Sequence, residues 1–255
     1  MIVLLPPSES KAGRRRGRPA DPSALSFPEL TATRDRVAAV LREVSASPDA
    51  PALLGVSPNL LDDIARNLVL DTAPGTPAAE VYTGVLYDAL DLARLDPAAR
   101  RRASRWLLVV SALYGAVRLT DRIAPYRLAM GVSLPGLGPL AAVWRPVLSE
   151  VLPDAVGSGV VVDCRSAAYA AAWPPAGELA ERWVSVRVPG ASHFAKHTRG
   201  LVARHLCVEG GSPTTVPRLA EVVAQGFAVT LHEPRRAGSP WVLDVTPPAS
   251  PGRVS

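Results

Sequence analysis

Short apolar runs that stop abruptly at polar segments limit most strongly how this chain can fold. Residues 2–5 (IVLL) predict a buried strand. Pro6 and Pro7 end that strand, because proline cannot donate a hydrogen bond to a strand ladder. The polar residues 8–11 follow at once, and polar residues just past a strand end often form functional sites.

The remaining elements are predicted in the same way, from the spacing of apolar residues and from the residues that begin or end an element. Strands are predicted at 106–110, 159–163 and 184–188, and a closing hairpin at 227–232 and 241–245. Helices are predicted at 29–46, 58–70, 97–105, 139–151, 166–172, 192–207 and 217–225. Strands and helices therefore both occur along the chain, but they do not alternate as regular βαβ units. We expect an α+β or irregular α/β fold in a single domain at 1–246, followed by a disordered Pro/Ser/Gly-rich tail at 247–255.

Composition narrows the class of protein. With 255 residues, 48% hydrophobic and 20% charged, the chain is typical of a soluble globular protein. The net charge of +5 is compatible with phosphate-bearing partners. Cys164 and Cys207 are predicted to be reduced thiols. The start is not a signal peptide and no segment is long enough to cross a bilayer, so we expect a cytoplasmic protein without a membrane partner.

The cationic residues are distributed unevenly between lysine and arginine. Of 28 such residues only Lys11 and Lys196 are lysines. A lysine in so arginine-rich a chain is a candidate for a place that needs a compact ammonium with a shiftable pKa. The alternative is that the two lysines occur by chance.

A second polar segment begins with SALYGAVR at 111–118 and continues to 127. Arg118 and Asp121 have the spacing of a pair on one helical face. Tyr114 and Tyr126 could stack on a base or could cover the core.

The helix predicted from residue 192 carries a basic stripe. Its members are His193, Lys196, His197, Arg199 and Arg204. Such a stripe suits a phosphate backbone or an anionic ligand, and the alternative is a solvated face. The two histidines have the spacing of metal ligands, but no nearby Glu or Cys completes a site, so we expect no metal and no cofactor.

Two further segments bear on nucleic acid. Residues 134–143 (LPGLGPLAAV) are similar to the hairpin of helix-hairpin-helix DNA-binding motifs, although a plain Gly/Pro turn fits as well. Cations also cluster at 14–18 and 100–105, where a mobile or solvated basic segment is the alternative.

Five segments together resemble the peroxide stress protein YaaA family. They are LLPPSESKA at 4–12, VYTGVLYDAL at 81–90, LVVSALYGAVRLTDRIAPYRLAMG at 108–131, VVDCRSAAYAAAW at 161–173 and SHFAKHTRGLVARHL at 192–206. They occur in the family's order across nearly the whole chain. The resemblance implies the family's own compact fold, described as cantaloupe-like. It also implies a cytosolic role in surviving peroxide by limiting free iron, and a capacity to bind DNA.

The resemblance places motif residues at both lysines and leaves two interpretations open. In the first, a cationic site binds double-stranded DNA through Lys11, Arg118, Arg127, Lys196, Arg199 and Arg204. In the second, the protein is an enzyme acting on a phosphorylated or nucleobase-like small molecule. Its candidate catalytic residues are Ser8, Lys11, Tyr114, Arg118, Asp121, Tyr126 and Lys196. Substrate, reaction and oligomeric state stay open.

One geometric expectation follows from both interpretations. Lys11, Arg118, Tyr126 and Lys196 should line one concave site although they are far apart in the sequence. The enterobacterial form of the family has a second lysine at the position of His197 here, and it is not Gly/Pro-rich over the stretch matching 134–143. The hairpin pattern therefore does not carry over from the family.

Overall fold

The structure, a computed structural model, describes residues 1–190 and 192–247, and of Ser192 only its place in a helix. The strands are β1 (Ile2–Leu5), β2 (Thr76–Pro77), β3 (Leu107–Ser111), β4 (Gly115–Arg118), β5 (Arg122–Ile123), β6 (Ser133–Leu134), β7 (Gly138–Pro139), β8 (Val161–Asp163), β9 (Trp183–Arg187), β10 (Ala228–His232) and β11 (Trp241–Thr246). The α-helices are α1 (Thr31–Ala46), α2 (Ala50–Leu53), α3 (Leu61–Ala65), α4 (Ala78–Val81), α5 (Val85–Leu90), α6 (Pro97–Trp106), α7 (Leu140–Val156), α8 (Ala167–Ala170), α9 (Ser192–Glu209) and α10 (Val216–Ala224). Short 3-10 helices lie at Pro22–Ala24, Pro28–Leu30, Pro58–Leu60, Arg66–Val69, Leu92–Arg94 and Gly177–Arg182.

A seven-stranded sheet organises the chain in the order β10-β11-β9-β8-β1-β3-β4. The five strands from β11 to β3 run parallel, whereas β10 and β4 are antiparallel edge strands. Every residue of β1, β3 and β8 is buried, as expected for strands covered on both faces of a parallel sheet. This architecture confirms the predicted α+β or irregular α/β class. The domain boundary at residue 246 stays a prediction, and the predicted disordered tail lies, apart from Pro247, outside the described residues.

Helix α7 shows how apolar spacing fixes one layer on this sheet. Leu140, Trp144, Leu148 and Leu152 recur at every fourth position and are fully buried. The indole of Trp144 donates a 2.8 Å hydrogen bond to the carbonyl of Ala112, just past β3. Its ring lies so close to Gly115 that a Cβ there would be 2.4 Å from a ring carbon. Gly115 is therefore required both for this contact and for its φ of +71°.

Helices α5 and α9 pack in close contact on another part of the fold. A Cβ on Gly200 of α9 would lie 2.1 Å from the carbonyl oxygen of Leu86 in α5. This close approach needs glycine, and it fixes the position of the helix that carries Lys196.

The helix predicted at 58–70 is instead broken into a 3-10 turn, the short α3 and a second 3-10 turn. The buried side chain of Asn67 explains the break. Its amide nitrogen donates to the carbonyl of Arg127 at 2.9 Å, and its oxygen accepts from the amide of Arg127 at 2.8 Å. These tertiary hydrogen bonds outweigh local helical preference.

Within the segment 134–143, residues 135–137 form the turn of a short hairpin between β6 and β7, and α7 begins directly after β7, at Leu140. Gly136 and Gly138 adopt positive φ angles of 72° and 84° within it. Residues 124–129 are not helical, so the helix that would have to precede a helix-hairpin-helix turn is missing from this described segment. The helix-hairpin-helix interpretation is wrong, and the Gly/Pro turn is correct.

Candidate functional site

The candidate site lies where the parallel strands β1 and β8 end side by side. From β1 the chain continues to β3 on one side of the pair, and from β8 it continues to β9 on the other. In open α/β sheets ligands bind in the crevice at the carboxyl ends of strands where the connections diverge in this way. The segment Pro6–Lys11, which follows β1, therefore occupies the position where such a crevice is expected.

Lys11 is the most unusual group of this segment. It is only 7% exposed, and its Nζ donates to the carbonyls of Ser8 at 2.7 Å and Glu9 at 3.3 Å. The same Nζ lies 4.3 Å from the centre of the Tyr126 ring. Burial, followed by the positive charge of Arg127, lowers the pKa of Lys11 from 10.5 to about 7. An amine with this pKa can both give and take a proton near neutral pH.

The main chain around Lys11 is fixed by contacts from other elements. Lys11 forms an isolated antiparallel bridge with Tyr82, and the amide of Ala12 donates to the carbonyl of Val81 at 2.8 Å. Arg66 donates to the carbonyl of Lys11 at 2.6 Å and forms an ion pair with Asp63 at 3.3 Å. The position of the amine is thus set before any ligand arrives.

Ser8 has a structural role in the same loop. Its hydroxyl accepts a 3.1 Å hydrogen bond from the amide of Thr83 and donates to the carbonyl of Ser10. The bond from Thr83 ties the segment after β1 to the residues just before α5, and the bond to Ser10 closes that segment on itself, so the hydroxyl is already engaged.

A buried hydroxyl network lies beneath Lys11. The Tyr126 hydroxyl is 2.8 Å from the Ser111 hydroxyl and 3.5 Å from the Tyr82 hydroxyl. Ser111 also accepts from the amide of Tyr114 at 3.0 Å. Burial raises the pKa of Tyr82 and Tyr126 well above their ordinary value. Both phenols therefore stay protonated and act as hydrogen-bond donors or acceptors.

All the tyrosines of the chain take part in this cluster. Tyr82 stacks on Tyr87 with ring centres 5.5 Å apart, and Tyr114 meets Tyr126 edge to face at 5.4 Å. Tyr169, in the segment after β8, has its pKa raised to about 12 by burial. The nearby carboxylate of Glu9 adds to that rise, which links the segment after β8 to the segment after β1.

Glu9 connects Lys11 to the second lysine. The Glu9 carboxylate accepts a 3.1 Å hydrogen bond from Nζ of Lys196 on α9. Its carbonyl accepts from Arg127 at 3.3 Å as well as from Lys11. The hydrogen bond from Lys196 is the main reason that the pKa of Glu9 lies below its ordinary value. The structure thus brings Lys11, Tyr126, Arg127 and Lys196 together at one edge of the sheet.

Arg118 does not belong to this cluster, contrary to the expected convergence, and neither does the candidate catalytic residue Asp121. Because β4 is antiparallel to β3, Gly115 lies opposite Ser111 at the carboxyl end, and Arg118 lies opposite Leu108 towards the other end. Asp121 accepts from the main-chain amide of Arg118 at 2.8 Å, and it binds the hydroxyl of Ser26 at 2.8 Å. The predicted pair on a helical face is wrong, because Asp121 instead closes the turn after β4.

Arg118 is held on that far side by two contacts. Its guanidinium donates to the carbonyl of Arg105 at 2.8 Å and lies 5.6 Å from the centre of the Phe27 ring. Tyr114 is also structural, since its hydroxyl both donates to the carbonyl and accepts from the amide of Ala124 at 3.1 Å. Of the two interpretations of Tyr114, core packing is the one the structure bears out.

Arg199 and Arg204 of α9 serve main-chain carbonyls. Arg199 donates to Val186, in β9, at 3.3 Å. Arg204 donates to the carbonyls of Leu90 and Asp91 at 2.9 and 2.7 Å, where it covers the C-terminal end of α5. Of the predicted basic stripe, Lys196 is the member that reaches Glu9, while His193 and His197 are exposed.

The segment after β8 is fixed by a buried ion pair. Arg165 contacts Asp163 at 2.8 Å and donates to the carbonyls of Tyr169 and Trp173 at 3.1 and 2.8 Å. The Trp183 indole donates to the same carboxylate at 3.2 Å. Every polar group of the pair is therefore engaged, and the hydrogen bond to the Tyr169 carbonyl ties α8 to the end of β8.

A family model described as peroxide stress protein YaaA matches residues 1–232. A UPF0246 protein of Streptomyces coelicolor is 52% identical over 254 residues, covering 96% of this chain and 98% of that protein. The chain belongs to the peroxide stress protein YaaA family. A UPF0246 protein of Corynebacterium efficiens is 37% identical over 92% of this chain and 97% of its own length. One of Burkholderia thailandensis is 28% identical over 89% and 93% respectively.

For this YaaA family member, the sequence left three site residues out of its candidates. Glu9 and Ser111 had a usable signal, since Glu9 lies between Ser8 and Lys11 and Ser111 ends an apolar strand. Arg66 had none, because it reaches Lys11 from a distant helical segment.

Groups with other chemistry lie away from the site or are inert. Cys164 and Cys207 are both free and buried, and burial raises the pKa of each thiol to about 12. In residues 1–190 and 192–247, no group of three or more His, Cys, Asp or Glu side chains lies close enough to hold a metal ion. Within the same described ranges, no helix is long and apolar enough to cross a bilayer.

Proposed function

We propose that this YaaA family member supports peroxide survival through a ligand site built around Lys11. The site binds a phosphorylated or nucleobase-like small molecule and exchanges a proton with it at Nζ. One observation carries this proposal: Lys11 is nearly fully buried, is bonded to main-chain carbonyls, and has a pKa of about 7. A lysine that only attracted DNA phosphates would gain nothing from burial, since nonspecific binding counts exposed charges.

The chemistry favours an ammonium over a guanidinium at this position. Arginine stays protonated and needs room for a planar fork, whereas an amine can lose its proton and fits a narrow place. The residues beside Lys11 have different roles in the proposed site. Tyr126 offers a ring face to the amine, while Arg127 and Lys196 supply fixed positive charge for an anion.

The test replaces Lys11 in two ways. Lys11→Arg keeps the charge but not the proton exchange, and Lys11→Met keeps the length but neither property. We expect both variants to lose peroxide survival in cells lacking the native protein, while purified Lys11→Met melts at or above the wild-type temperature because a buried amine is replaced by an apolar group. Arg15→Lys, in an exposed loop, is the matched control and should keep survival. Full survival with Lys11→Met would overturn the proposal.

DNA binding is a second candidate function, and the exposed arginines favour it. Arg15, Arg16 and Arg18 are exposed in one loop, and Arg100, Arg101 and Arg105 are exposed on α6. Such cations suit weakly sequence-specific binding to duplex phosphates. This function does not need Lys11, so the two candidates are separable by mutation.

We further propose that the protein acts in the cytoplasm and lowers free intracellular iron during peroxide stress. The match to a family described by peroxide stress supports a role in that stress, and the iron and cytoplasmic parts follow from the family resemblance. The measurement is chelatable iron in peroxide-treated cells with and without the protein. Equal iron in the two strains would contradict this part of the proposal and leave the ligand site to be judged separately.

A further inference from the structure

Glu9 is the residue on which three cationic side chains of the site converge. Its carboxylate accepts from Lys196 at 3.1 Å, and its carbonyl accepts from Lys11 and Arg127, each at 3.3 Å. The three cations come from the loop after β1, the segment after β5 and helix α9. These contacts therefore place one carboxylate, that of Glu9, beside at least two fixed positive charges.

The charges around Glu9 do not balance. Arg66 is already paired with Asp63 at 3.3 Å, so this neighbouring pair contributes no net charge. Lys196 and Arg127 carry one positive charge each, and Glu9 offsets one of them. An excess of positive charge remains beside Lys11, which a dianion in place of the carboxylate would neutralise.

The carboxylate of Glu9 can readily separate from Lys196. Its side chain is 74% exposed and that of Lys196 is 49% exposed, and such exposed ion pairs contribute only about 0.2–1 kcal/mol. The carbonyl contacts involve the main chain, so a rotation of the Glu9 side chain frees Lys196 without moving the loop that covers Lys11. The Glu9 side chain can therefore move while the main chain around it stays in place.

We propose that the Glu9 carboxylate is a tethered competitor that occupies the anion subsite, and that the ligand it competes with is a phosphate monoester dianion held by Lys196 and Arg127. This inference rests on the proposed ligand site and adds its ligand class and its regulation. Displacing the carboxylate costs every anion the same free energy, because Glu9 must leave the subsite before any of them binds. A monoanion then only replaces the charge that Glu9 already supplies. A dianion gains one further charge interaction when it displaces the carboxylate.

The test is calorimetric titration of the full-length protein with phenyl phosphate, and with benzoate as a monoanion of similar shape. Glu9→Gln removes the competing charge and keeps the size of the side chain. We expect it to bind phenyl phosphate about two- to six-fold more tightly than the wild type. In the wild type, the state in which Glu9 is paired with Lys196 is favoured over the unpaired state by a factor of about one to five. Benzoate should bind more weakly than phenyl phosphate to both proteins.

The matched control is Glu221→Gln, which removes the same charge from an exposed ion pair with Arg218 on α10. It should leave the affinity for phenyl phosphate unchanged. Lys196→Met and Arg127→Met should each weaken binding, and thermal melts of all variants establish that they fold.

The outcomes separate this inference from the proposed function. If Lys196→Met weakens binding but Glu9→Gln does not strengthen it, Glu9 is not a competitor, although the ligand site stands. If benzoate binds as tightly as phenyl phosphate, the assignment of a dianion is wrong. If neither wild type nor Glu9→Gln binds phenyl phosphate, the inference fails, while the proposed role of Lys11 is still decided by peroxide survival of its own variants.

Discussion

The amine of Lys11 lies 4.3 Å from the centre of the Tyr126 ring, with the Tyr126 hydroxyl turned to Ser111. The ring face stabilises the protonated amine, whereas burial disfavours it. The two influences oppose each other, and burial is the stronger, since the pKa falls to about 7. The lysine is therefore placed where its protonation state responds to small changes in its surroundings.

The first prediction concerns the pH dependence of stability. Below about pH 7 Lys11 is protonated in both the folded and the unfolded protein, so it does not change the free energy of unfolding with pH. Above pH 7 the folded protein loses the proton that the unfolded chain keeps up to its ordinary pKa of 10.5. The free energy of unfolding should therefore rise with pH in this window, by at most about 1.4 kcal/mol per pH unit.

The measurement is the urea midpoint of the wild type minus that of Lys11→Met, from about pH 6 to about pH 8.5. The difference removes contributions from other groups, including the buried thiols, whose raised pKa lowers stability at higher pH. The charged groups facing Lys11 are Arg127 and Arg66, which lower its pKa, and Asp63 and Glu9, which raise it. A difference that is flat across this range would contradict the prediction.

The second prediction ranks two substitutions in the hydroxyl network. Ser111→Ala removes the partner of both the Tyr126 hydroxyl and the Tyr114 amide, so it should destabilise the protein by about 1–3 kcal/mol. Tyr126→Phe leaves the Ser111 oxygen bonded to the Tyr114 amide and should cost less. Guanidinium denaturation of the two variants decides the order, and a larger loss for Tyr126→Phe would be inconsistent with this network.

The third prediction tests the packing that positions Lys196. Gly200→Ala places a methyl group 2.1 Å from the Leu86 carbonyl oxygen, so α9 must move away from α5. We expect a loss of at least about 1–3 kcal/mol in stability, together with weaker anion binding at Lys196. Gly131→Ala is the control, because nothing lies within 4 Å of its added Cβ and its φ is not positive. Equal melting temperatures of the two variants would show that α9 is not held by this contact.

The fourth prediction concerns nucleic acid. Binding to duplex DNA should weaken with salt, with a slope of log affinity against log salt near −0.9 per phosphate contacted. Replacing Arg15, Arg16 and Arg18 by Gln should make the slope shallower, while Lys11→Met leaves it unchanged because Lys11 is buried. Fluorescence anisotropy at several salt concentrations measures both. A salt-independent affinity, or a slope reduced only by Lys11→Met, would exclude the exposed arginines as the contact surface.

Local pattern alone predicted six strands of the main sheet, the longer helices and the segments that form the site, but it missed β4 and α5. The apolar run ended by Pro6 gave the bounds of β1 correctly, and helical spacing placed α7, α9 and α10 within a few residues of their ends. The scarcity of lysine pointed to Lys11 and Lys196, which the structure links through Glu9. These signals work because burial of a short segment and the choice of side-chain chemistry are both recorded in neighbouring residues.

Only the tertiary structure decided which polar residues share the site. Arg118 and Asp121 lie in the same segment as Tyr126, yet the antiparallel pairing of β4 with β3 places them towards the opposite end of the sheet. Arg199 and Arg204 lie on the same helix as Lys196, but they are engaged with carbonyls of β9 and of the α5 end. Strand direction and helix docking depend on contacts between distant residues, and no spacing within one segment records them.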